Sequence, residues 1–179
     1  MDDDPIEATR RWLERAVIGL NLCPYAKAVH AKGQIRWVLS PARDARALLD
    51  ELGAELQRLA AADPADVDTT LLVHPHVLAD FDAYNDFLDV ADAALEDLGL
   101  DGRLQIASFH PQYRFAGSPV DDVAHCTNRA PHPMLHLLRE ASIERAVAAN
   151  PDAATIYERN IETLRRLGQA GWQALLQRP

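Results

Sequence analysis

Apolar positions recur along the first two-thirds of the chain in alternating helical and strand rhythms. Across residues 5–22, Trp12, Leu13, Ala16, Val17 and Leu20 fall at helical spacing. Pro5 suits the first turn of that helix, and Asp2, Asp3 and Asp4 favour the positive end of its dipole. Pro24 then interrupts it, because proline has no amide donor and restricts the preceding Cys23. Residues 34–39 (QIRWVL) read as a strand, and Ser40-Pro41 opens a helix to 61 with Leu48, Leu52, Leu56 and Leu59 on its apolar side. Residues 69–74 (TTLLVH) form a second strand. A helix over 82–98, capped by Asp82 and ended by Gly99, leads to a third strand at 103–109 (RLQIASF).

Strands joined through helices are usually parallel, with right-handed crossovers. The expected fold is therefore α/β: a small, mostly parallel sheet of three to four strands covered by about five helices. Residues 113–115 could add a short edge strand, and 119–133 read as a long functional loop. Residues 133–148 and 152–177 read as helices, the second broken near Gly168 or Gly171. A length of 179 residues fits a single domain spanning 1–179.

Charge narrows the partners. A net charge of -9 and a pI of about 5.1 argue against nucleic acid or anionic membrane as the main partner. No apolar run reaches the length of a membrane span, and the first residues do not resemble a secretory signal. Two cysteines, Cys23 and Cys126, make no disulfide framework, so a reducing cytoplasm is expected.

Chemistry concentrates in residues 108–139, which hold His110, His125, His132, His136, Cys126, Arg114, Arg129 and Arg139. Two expected strands end in His-Pro, at His74-Pro75 and His110-Pro111. Parallel strands would bring both histidines to the carboxyl edge of the sheet, where ligands bind in open α/β folds. In the second constellation, His136, Arg139 and Glu140 would share one face of the expected 133–148 helix. Arg129, just ahead of it, could join Arg139 in gripping a carboxylate or phosphate.

Cys23 has two readings. At the end of the first helix its thiolate is disfavoured; at the start of a new turn from Pro24 it is favoured. Cys23, His74, His110 and His136 also supply donors suited to zinc or iron, although no spaced metal motif is present. Phosphate-loop, nucleophile-elbow and dinucleotide signatures are missing.

The blocks GLNLCPYAK (19–27), LVHP (72–75), AYNDFLDVAD (83–92), ASFHPQYRFAG (107–117) and TNRAPHPMLHLLRE (127–140) resemble an uncharacterised bacterial family, domain of unknown function 1415. The resemblance covers nearly the whole chain. It implies an intact single-domain bacterial protein and brings forward Cys23, His74, His110, Tyr113, Asn128, Arg129, His136 and Arg139.

The leading expectation is a small cytoplasmic enzyme performing hydrolysis or group transfer on an anionic small molecule. His110 would be the general acid/base, aided by His136 and His74, with Cys23 as nucleophile or metal ligand. Arg129 and Arg139 would bind the anion, with Asn128 and Tyr113 completing the substrate site. One alternative is a metal-binding protein using Cys23, His74, His110 and His136. Another is a non-catalytic module that binds an acidic partner.

Overall fold

The computed structural model describes residues 4–177. Asp2 and Asp3 lie outside the described residues. Asp4 caps the first helix, α1 (Pro5–Trp12), by accepting from the Ile6 amide at 2.9 Å, with Pro5 in the first turn. The apolar stripe then continues through a π-helical turn, Leu13–Ile18, in which Gly19 N–H bonds the Glu14 carbonyl at 3.0 Å. The wider turn keeps Leu13, Ala16 and Val17 buried. A Cβ on Gly19 would collide with the Arg15 carbonyl oxygen. Gly19→Ala is therefore expected to lower stability by about 1–3 kcal/mol in urea unfolding; an unchanged midpoint would show that the turn relaxes freely.

Helix α2 (Pro24–Ala31) starts immediately after Cys23. It leads to β1 (Ile35–Leu39), α3 (Ala45–Ala61), β2 (Thr69–Val73), α4 (Phe81–Asp97) and β3 (Leu104–Phe109). Asp44 and Asp80 cap α3 and α4 through the Ala47 and Ala83 amides. Asp80, not the expected Asp82, holds the second cap.

The expected α/β class holds, but the sheet is mixed. Its order is β1-β2-β4-β3, and β4 (Met134–Arg139) runs antiparallel between β2 and β3. The segment expected to open the 133–148 helix is thus one of the two interior strands; only Glu140–Ala149 is helical, as α5. Residues 113–115 form no strand, and the 119–133 loop contains a 3-10 helix, Val123–Asn128. The last helix, α6 (Ile156–Leu176), is kinked at Gly168, whose φ of 70° suits glycine, as the expected break required.

Strand alternation divides the core. Leu72, Leu104, Leu135 and Leu137 join α3 and α4 on one face. Leu71, Val73 and Met134 join α1, the π turn and α6 on the other. No helix of the described residues is long and apolar enough to cross a membrane.

Candidate functional site

The sheet separates the expected site residues. Both β2 and β3 oppose β4, so they run in the same direction, and His74 and His110 emerge at one edge as expected. Both lie on the α4 face, where the Tyr84 ring is 5.8 Å from His74 and 5.0 Å from His110. His136 instead pairs with Leu71 and Ala107 and points to the opposite face, where Cys23 also lies. One ion cannot be held by Cys23, His74, His110 and His136 together. Among the described residues no group of three His, Cys, Asp or Glu side chains converges as a metal site.

His74 and His110 brace a loop. His74 Nδ1 donates to the Val77 carbonyl at 3.0 Å. His110 Nε2 donates to the Leu78 carbonyl at 3.1 Å, while its Nδ1 accepts from the Gln112 amide at 3.0 Å. Leu78 has φ 58°, a left-handed conformation that costs a leucine roughly 1–2 kcal/mol. His110 therefore fixes a strained backbone and has no ring nitrogen left for the expected acid/base role. Burial lowers its pKa and pushes His74 down to about 4, so both rest neutral. His125 braces in the same manner, accepting from the Phe115 amide at 3.0 Å and donating to the Pro119 carbonyl at 2.7 Å.

The expected anion-binding residues are engaged elsewhere. Asn128 donates to the Ser108 carbonyl at 3.0 Å, and Arg129 Nε to the Tyr113 carbonyl at 3.0 Å. Arg139 Nη2 reaches the carbonyls of Leu59, Ala62 and Val67 at 2.7–2.9 Å. The Tyr113 hydroxyl accepts from Ser108 Oγ at 3.3 Å, and its ring borders an open groove with Arg114 and Asp82, which form an ion pair. These arginines do not converge on a common ligand.

Cys23 and His136 do line one cavity, of about 70 Å³, with Trp12, Tyr25, Thr69 and Phe109. Cys23 is the N-cap of α2, which decides between its two readings: the Tyr25 and Ala26 amides face its sulfur. Burial is the larger influence, however, and raises the thiol above its ordinary value near 9. Thr69 Oγ1 donates its one proton to the Leu137 carbonyl at 2.6 Å, so His136 Nε2, 2.7 Å away, must be the donor to that oxygen. Nδ1 therefore carries the lone pair of His136. Burial holds this imidazole at about 4. The Trp12 indole nitrogen is buried without a hydrogen-bond partner among the described residues, whereas the Tyr25 hydroxyl lies against Asp68 and Thr69. Burial, then Asp68, keeps the Tyr25 phenol neutral. Cys23 and Tyr25 also wall an apolar surface groove of about 140 Å³ beside Ile143, Val147 and Ile156.

Residues 4–174 match the family model described as protein of unknown function (DUF1415). The chain belongs to this family. No curated protein and no solved structure matches it.

Within this DUF1415 chain, Trp12, Tyr25 and Thr69 are cavity residues that the sequence did not single out. Tyr25 had one available signal, its position two residues after Cys23 at a proline-started helix. Trp12 and Thr69 read as ordinary apolar-face and strand residues, and only the register of β4 brings Thr69 to His136.

Proposed function

We propose that this protein is a thiol-dependent enzyme that transfers or hydrolyses an acyl-type group on a small substrate, acting in a reducing cytoplasm. The observation that carries the reading is that Cys23 and His136, whose Nδ1 holds its lone pair, line one cavity whose wall Cys23 shares with a surface groove. In the resting protein both groups are neutral, so the proton moves as the bond forms. The Cys23 thiol gives its proton to His136 Nδ1 while sulfur bonds the acyl carbon. The leaving group departs with that proton, and water or a second acceptor then takes the acyl group and restores the thiol. The α2 amides favour the developing charge on sulfur. The unpartnered Trp12 N–H offers a hydrogen bond to a carbonyl oxygen, a donor suited to charge that grows on that atom. The cavity admits only a few heavy atoms, and its apolar walls favour an uncharged reacting group.

p-Nitrophenyl acetate tests the reading. Intact-mass measurement should show one acetyl group on Cys23 and none on Cys23→Ala. His136→Gln keeps a donor for Thr69 but loses the Nδ1 base, so nitrophenolate release should slow by about 10²-fold or more. Equal labelling of Cys23→Ala, or an unacetylated Cys23 in the parent protein, would reject the assignment.

A further inference from the structure

Apart from that cavity, at the opposite edge of the sheet from His74 and His110, a pocket of about 260 Å³ is lined by Arg103, Arg139, Arg145, Ala141 and Ser142. Three arginines around one concavity stand out in a chain of net charge -9. Their neutralisation is incomplete. Asp68 lies 3.5 Å from Arg139 Nε and accepts from Ser142 Oγ at 2.6 Å. Among the described residues, Arg145 donates only to Ser142 Oγ, at 2.9 Å, and the exposed Arg103 side chain has no ion pair. Glu140, in the same turn, does not line the pocket.

The backbone adds donors of the same sign. Helix α5 begins here, and its N-cap, Arg139, makes no side-chain cap bond. The Glu140 amide is taken by the Arg103 carbonyl at 3.0 Å, which leaves the Ala141 and Ser142 amides as the unsatisfied donors of the first turn. Two exposed guanidinia and two helix amides, beside the positive charge of the engaged Arg139, form a donor set suited to a multiply charged tetrahedral oxyanion. A carboxylate has fewer oxygens and half the charge.

We propose that this pocket binds the phosphate group of a small phosphorylated molecule. The site does not depend on the chemistry of Cys23. Its test is calorimetric titration with inorganic phosphate at constant ionic strength, with sodium chloride as the salt control and acetate as the carboxylate control. Phosphate should bind saturably and acetate at least about tenfold more weakly. The exposed pair Arg103→Ala/Arg145→Ala should weaken phosphate by about tenfold or more with an unchanged circular dichroism spectrum, and the single change Arg103→Gln should have a smaller effect in the same direction. Phosphate that binds no better than chloride, acetate that binds equally well, or folded variants that bind phosphate like the parent would each overturn the proposal.

Discussion

Arg139→Ala is expected to destabilise the protein by about 3–5 kcal/mol, the range for breaking a buried charged network by removing one partner. The Arg139 side chain is 12% exposed, and its Nη2 serves carbonyls at the end of α3, in the following turn and just ahead of β2. Removing it would leave those acceptors short of a donor and strip buried Asp68 of its cation. Arg139→Lys should recover only part of the loss, because an ammonium keeps the charge but not the planar reach. Urea unfolding at pH 7 measures both variants. A loss below about 1 kcal/mol for Arg139→Ala, the range of a screened surface contact, would contradict this role.

Acid should weaken the fold well before most carboxylates titrate. His74 is fully buried, and its pKa falls from an ordinary 6.5 to about 4. The unfolded chain therefore binds a proton that the folded chain refuses between these values, and stability rises with pH across that window. The contribution is fully present above pH 6.5 and declines toward pH 4, with about 3 kcal/mol at stake for His74 alone. His136, also at about 4, acts in the same direction. Stability measured from pH 7 to 4 should fall steeply. His74→Asn, which keeps a donor for the Val77 carbonyl but does not titrate, should flatten that fall. A parallel pH profile in the variant would show that other groups control it.

Much of the fold was legible because its outer elements obey local rules. The leucine stripe of α3, the TTLLV run of β2 and the Gly99 end of α4 each agree with their surroundings. The central strand does not announce itself. MLHLLR is rich in good helix formers, and His136, Arg139 and Glu140 sit at helical spacing. A continuous apolar run also fits a strand buried on both faces, and spacing alone does not separate the two. The slot between β2 and β3 decided it.

The error in that one element propagated to the site. A helix would have placed His136, Arg139 and Glu140 together. The strand sends His136 to the cavity and Arg139 to the opposite face, among the carbonyls after α3. Cys23 was legible as a residue with two possible settings, and the start of α2 at Pro24 selected one. The histidines show a different limit. His74, His110 and His125 occupy suggestive positions, but whether an imidazole is free depends on nearby carbonyls, which sequence does not locate. Arg103 and Arg145 were missed because their pocket exists only where the ends of β3 and β4 meet the start of α5.

The insertion of β4 between β2 and β3 also bears on synthesis. Every residue of β1, β2 and β3 leaves the ribosome before Met134 does. Until then β2 and β3 lack the neighbour that joins them, and each offers an unpaired row of amides and carbonyls to any other extended chain. The sheet closes only when a late segment enters between two older ones, a non-local step that slows folding. A nascent chain stalled after residue 110 would carry most of the apolar core with an interior strand missing, and aggregation is the hazard of such a state.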